Sequence, residues 1–150
     1  MSRFAKSRLA QQFVLAAAAA IATMPALLAT SAQAQVRCQC TNYVANRFNL
    51  TRNFPNAGDW NDGYLQRNGF VRVAPQRGAI AVMERNFPGS DTSFGHVGVV
   101  ESITNGRMAL RGANQWVGGG FFTEAGCNNV RITNFGTNVN DGRVSFWMKR

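Results

Sequence analysis

A cysteine at position 40, the single histidine of the chain at 96 and an asparagine at 114 are residue types that together can cut an amide bond. The thiol attacks the carbonyl, the imidazole takes its proton and later returns it to the leaving amine, and the asparagine amide holds the imidazole in one tautomer without adding charge. Cys40 sits in Val36-Arg37-Cys38-Gln39-Cys40-Thr41-Asn42-Tyr43-Val44-Ala45-Asn46-Arg47, which reads as the entry to a short amphipathic helix. If the helix starts at Cys40, then Cys40, Tyr43, Val44 and Phe48 share one stripe, and the thiol lies over a buried face. The unpaired N–H groups and positive dipole end there are expected to lower the thiol pKa. The competing reading is a buried structural cysteine, or half of a disulfide.

Whether His96 meets Asn114 depends on a hairpin turning near Asn105-Gly106. A two-residue Asn-Gly turn pairs Thr104 with Arg107 and sets His96 opposite Gln115. A three-residue Thr-Asn-Gly loop, with Gly106 left-handed, pairs Ile103 with Arg107 and sets His96 opposite Asn114. Burial patterning favours the second: His96, Gly98, Val100, Met108, Leu110 and Asn114 then share one face, while Glu101, Arg107 and Arg111 gather on the other. Glu101 is the rival third group, but five residues from His96 along one strand puts it on the opposite face. Gln39 is a candidate to join the backbone N–H of Cys40 in stabilising an oxyanion, although a polar residue there also suits ordinary helix capping.

The elements that must position these groups follow from the pattern around them. After the Cys40 helix, the turn-rich Asn53-Phe54-Pro55-Asn56-Ala57-Gly58 precedes a second short helix from Asp59 through Trp60, Tyr64 and Leu65, with Gly69 as its C-cap. Strands are expected over Phe70 to Val73, Ala79 to Met83, Gly95 to Ile103, Arg107 to Asn114, Val130 to Phe135 and Val144 to Met148. Gly118-Gly119-Gly120 reads as a loop and not a phosphate cradle, having no strand–loop–helix context. Helices first and an antiparallel sheet after is an α+β arrangement.

Residues 1–34 read as a secretory signal: Arg3, Lys6 and Arg8 precede the apolar Phe13 to Ala29, and Ala32-Gln33-Ala34 is an A-x-A cleavage site. The remaining 35–150 is one domain, with no further run long enough to span a bilayer. The chain has 16 basic and 7 acidic residues; less the three basic residues of the signal, the mature charge is 13 − 7 = +6. Such a charge suits an anionic partner such as a wall polymer, a membrane surface or nucleic acid, and does not choose among them. Of the three cysteines, Cys38 and Cys40 are too close to bridge each other. Cys127 then pairs with one of them or nothing pairs; Cys38 with Cys127 is preferred, leaving Cys40 free, and Cys40 with Cys127 is the alternative that abolishes the nucleophile.

The sequence resembles the CHAP domains, cysteine, histidine-dependent amidohydrolases and peptidases with a papain-like fold. The resemblance is carried by Gln39-Cys40-Thr41-Asn42-Tyr43-Val44-Ala45-Asn46-Arg47, then Asn56-Ala57 with Asp59-Trp60, then Pro75 with Gly78-Ala79-Ile80-Ala81-Val82, then Gly95-His96-Val97 with Val100-Glu101-Ser102. It implies a papain-like cysteine hydrolase fold with N-terminal helices on an antiparallel sheet, Cys40 as nucleophile, His96 as base and Asn114 as orienting residue. It also implies a peptidoglycan substrate, cut as an endopeptidase or N-acetylmuramoyl-L-alanine amidase. The chain departs from the pattern at Gly112, where many relatives carry an acidic residue, at Cys38, where glycine is common, and in having no wall-binding repeats. The expectation is an exported, periplasmic or secreted monomer that needs no cofactor or metal and has no nucleic-acid motif. The alternative is a catalytically silent, basic wall-binding module on the same scaffold.

Overall fold

The computed structural model describes residues 37–117, 120–122 and 124–150; the segment read as a signal peptide lies outside them. Helix α1 spans Cys40–Phe48 and buries Cys40, Tyr43 and Val44 of the expected stripe, with Ala45 beside them, while Phe48 is half-buried. Asn49 stops it in the left-handed conformation at φ 52, an acceptable cost for an asparagine at a helix end. Phe48 meets the ring of Phe70 edge to face at 5.6 Å. The second helical segment is broken, contrary to the single helix expected. A 3-10 turn over Ala57–Asp59 runs into a bent stretch over Trp60–Tyr64, where Gly63 takes φ 94, and only Leu65–Arg67, α2, is regular. Trp60 and Tyr64 pack on either side of the bend with tilted rings, 4.8 Å between centres, and Phe54 lies against both.

Strands β1 (Phe70–Val73), β2 (Ile80–Met83), β3 (His96–Thr104), β4 (Arg107–Gly112), β7 (Arg131–Asn138) and β8 (Val144–Lys149) form a sheet in the order β1-β8-β2-β3-β4-β7. Every pairing in it is antiparallel. A separate hairpin joins β5 (Gln115–Val117) to β6 (Gly120–Phe122). This pair was not foreseen: Gly120 of the glycine run begins β6, and the two glycines before it lie outside the described residues. The fold is α+β, as the order of elements indicates.

The central strand β2 is buried along its whole length, because both faces of the sheet are covered. Ile80 and Val82 join Val44, Trp60, Leu65, Val97 and Trp147 in a core under the helices. Ala81 and Met83 pack with Phe87, Val100, Met108, Leu110 and Phe146 on the other face. The alternation is the period-two signature of a strand, and α1 lies against β3 and β4.

The β3–β4 hairpin corrects the expected loop. Thr104 pairs with Arg107 across a two-residue Asn105-Gly106 turn, both residues having positive φ (50 and 72), the primed geometry that matches strand twist. The register then slips by one residue between Val100 and Ser102, leaving Glu101 as a bulge, after which Val100 faces Leu110 and Val99 faces Arg111. The bulge therefore restores, towards His96, the register that the longer loop would have set from the turn. Packing explains it: Val100, Met108 and Leu110 all reach one core.

Candidate active site

A cleft of about 370 Å³ is lined by Gln39, Cys40 and Thr41 at the start of α1, by Phe54 to Ala57, by Asp91, Phe94, Gly95 and His96, and by Asn114. Four segments far apart in sequence thus bring Gln39, Cys40, His96 and Asn114 to one place. The wall at Phe54 to Ala57 is fixed from behind, since the Trp60 indole N–H donates to the Pro55 carbonyl at 3.2 Å and the Tyr64 hydroxyl to the Thr51 carbonyl at 2.6 Å. The opposite wall is fixed by Arg85, whose guanidinium donates to both Asp59 carboxylate oxygens at 2.7 and 2.6 Å and to the Ser93 carbonyl at 2.9 Å. Asp59 belongs to the motif read from the sequence; Arg85 carries no local signal, because its partner is 26 residues away.

Cys40 is the free cysteine, and Cys38 is bonded to Cys127. The expected lowering of the Cys40 pKa is not found. Burial pushes the thiol up to about 11, although the backbone N–H groups of Val97, Thr41 and Cys40 itself favour the thiolate. Desolvation wins because Cys40 is buried, 8% exposed as a residue, and the helix N-terminus cannot replace the lost water. His96 is 1% exposed and burial lowers its pKa to about 4, against an upward pull from Asp91. Thiol and imidazole are therefore both neutral at pH 7.

His96 opens β3 directly after Gly95, whose φ of 71 and absent side chain are both required. A Cβ there would stand 2.5 Å from Gly58 Cα and 2.7 Å from the Met83 carbonyl. The Gly58 N–H donates to the Phe94 carbonyl at 2.8 Å, which locks this crossing beside the histidine. Asp91 completes the loop, its Oδ1 accepting the N–H groups of Ser93 and Phe94 at 2.8 and 2.9 Å.

Asn114 is not a ladder partner of His96, as the hairpin reading expected, because β4 ends at Gly112 and Asn114 takes φ 54. It lines the same cleft from a turn and donates through Nδ2 to Gln39 Oε1 at 3.3 Å. Gln39 precedes α1 without capping it by its side chain, so the capping explanation for its polarity does not apply. Glu101 stands outside the cleft, bound to Arg111 at 3.0 Å and Arg77 at 3.3 Å. Besides Arg85 and Asp91, two more residues were missed by the sequence reading. The Gln115 amide is fully buried and donates to the carbonyls of Leu110, Gly112 and Arg131 at 3.1, 3.0 and 2.9 Å. The Glu124 carboxylate accepts the Asn114 backbone N–H at 3.0 Å. Neither belongs to a spacing motif. Among the described residues no cluster of metal-ligating side chains occurs, and no helix is long and apolar enough to cross a membrane.

An α+β fold with a cysteine at a helix entry and a histidine at a strand entry, facing one cleft, defines the class. The family model for the CHAP domain matches residues 30–114, and the chain belongs to the CHAP domain family. No curated protein matches it. Among solved structures it is similar to an N-acetylmuramoyl-L-alanine amidase from Staphylococcus aureus, with 24% identity and a TM-score of 0.52. The match covers 75% of this chain and 30% of that one, so this chain spans less than a third of that protein, and the likeness concerns the fold.

Proposed function

We propose that the protein is an exported cysteine hydrolase that cuts amide bonds of peptidoglycan, as an endopeptidase or an N-acetylmuramoyl-L-alanine amidase. Residues 1–34 would serve as its signal peptide and 35–150 as its catalytic domain. The observation that carries the reading is the convergence of Cys40, His96, Asn114 and Gln39 on one cleft. Because thiol and imidazole start neutral, the proton passes from Sγ to His96 as sulfur attacks the carbonyl carbon. The C–N bond breaks as the imidazolium protonates the leaving amine, and a water deprotonated by the same imidazole then hydrolyses the thioester acyl-enzyme. The tetrahedral oxyanion is met by the Cys40 backbone N–H and the Gln39 amide, and Asn114 orients His96. The Asp91 carboxylate in the same cleft favours the imidazolium that forms in transit. The Cys38–Cys127 bridge suits an oxidising compartment.

The buried, protonated thiol favours a second reading, a silent wall-binding module. Digestion of purified peptidoglycan beside Cys40→Ala, with mass spectrometry of the soluble fragments, separates the two. Fragments released only by the intact thiol are expected, and their masses give the bond cut. If both proteins bind the wall and neither releases fragments, under reducing or oxidising conditions, the hydrolase reading fails.

A further inference from the structure

Glu124 is a buried carboxylate, 7% exposed, in a segment outside the family match. Its Oε1 lies 3.9 Å from Arg131 Nε, and its Oε2 accepts the Asn114 N–H at 3.0 Å. Burying a carboxylate is unfavourable unless it is paired and hydrogen-bonded, so its place beside the cleft calls for a reason. Asn114 supplies one. Its φ of 54 is left-handed, a conformation that asparagine adopts more readily than other non-glycine residues. That conformation turns the chain away from the end of β4 and directs the side-chain amide to the cleft, where it meets Gln39. The Glu124 carboxylate is bonded to the backbone of this residue. Its own carbonyl accepts the N–H of Cys38 at 2.9 Å, and Cys127 three residues on is bonded to Cys38. One short segment is thereby tied both to the chain two residues before the nucleophile and to Asn114.

We propose that Glu124 is a positioning residue, which holds the backbone of Asn114 so that its side chain stays in register with Gln39, Cys40 and His96. Its effect on turnover rests on the hydrolase reading given above; its hold on Asn114 does not. The role requires an acceptor oxygen and not a negative charge, and Gln offers a carbonyl oxygen of the same reach. Glu124→Gln should therefore keep kcat within about 3-fold of wild type, while Glu124→Ala lowers kcat roughly 10- to 100-fold with KM little changed.

The test is a cycle with Asn114→Ala, read as wall-fragment release. Once the Asn114 side chain is gone there is nothing left to aim, so Glu124→Ala should then cost less than about 2-fold. An equal cost in both backgrounds, or a Glu124→Gln as damaging as Glu124→Ala, overturns the proposal. If Glu124→Ala fails to fold, Glu124→Leu fills the site without an acceptor and takes its place. Amide hydrogen exchange at Asn114, followed by NMR, needs no substrate. Protection should persist in Glu124→Gln and fall at least about 10-fold in the variant lacking an acceptor; unchanged protection overturns the hold on Asn114. Absence of fragment release by the wild type would instead sink the hydrolase reading alone, with the exchange result still deciding the role of Glu124.

Discussion

Cys40 and His96 are shielded from water by the same cleft walls, and their titration follows from that. In the free protein, alkylation of Cys40 by iodoacetamide should keep accelerating with pH towards about 11; a plateau below pH 8 would reveal an ion pair and refute a neutral resting state. The histidine also ties stability to pH. Its ordinary value is 6.5 and its folded value about 4, so between those pH values the unfolded chain binds a proton that the folded one does not. Stability is full above 6.5 and falls as pH drops towards 4, by roughly 3 kcal/mol in all. Urea midpoints at pH 7 and pH 4.5 should show this fall for the wild type and a much smaller one for His96→Gln. Glu101 offers a contrast. It is half-exposed, and its arginine partners hold its carboxyl below the usual range. Glu101→Gln should cost less than about 1 kcal/mol and leave fragment release unchanged, whereas Asn114→Ala should slow it roughly 10-fold or more. Equal losses would restore Glu101 as the third group.

The entry of β3 is more constrained than its exit. Gly95 and Gly106 have nearly the same φ, 71 and 72, but a Cβ at Gly106 would meet nothing within 4 Å, while one at Gly95 would strike backbone atoms. Gly106→Ala should therefore cost about 1 kcal/mol, the price of the left-handed conformation alone. Gly95→Ala should cost about 3 kcal/mol or more and also slow the reaction, because the chain must shift beside His96. Thermal melts and fragment release on the two variants check this; similar losses would mean that the Gly58–Gly95 crossing is not what places the histidine. The same hairpin marks how far patterning could be read. Burial of Val100, Met108 and Leu110 was legible and set the right register near the cleft. The same patterning argued against the two-residue Asn-Gly turn that the structure has, because the two demand registers one residue apart. Only a bulge reconciles them, and a bulge at Glu101 leaves no mark in a pattern of residue types.

The Cys38–Cys127 bridge closes a separation of 89 residues, for which chain entropy gives about 4–5 kcal/mol of stabilisation at most. A Cys38→Ser, Cys127→Ser variant should lose several kcal/mol by denaturant titration. It should also lose fragment release where it remains folded, since the Glu124 segment then lacks its covalent tie to the chain before Cys40. Full activity in a folded double variant would show that the clamp serves stability only. The excess of arginine acts over longer range. Binding to an anionic wall should weaken between about 0.05 and 0.5 M salt as the charges are screened, and salt-independent binding would exclude a role for the net charge.

From residue types and spacing alone came the helix that opens at Cys40, a strand from Gly95 that carries His96, and the α+β order of elements, while resemblance to known motifs pointed to the family. These depend on local periodicity and on short motifs, which a linear chain displays directly. The tertiary structure decided the rest: the walls that bury the thiol and reverse the expected direction of its pKa, the turn that brings Asn114 to the cleft, and the distant Arg85, Gln115 and Glu124 that hold the pieces in place. Desolvation and buried hydrogen bonds depend on neighbours tens of residues away, and no spacing in the sequence records which neighbours those will be.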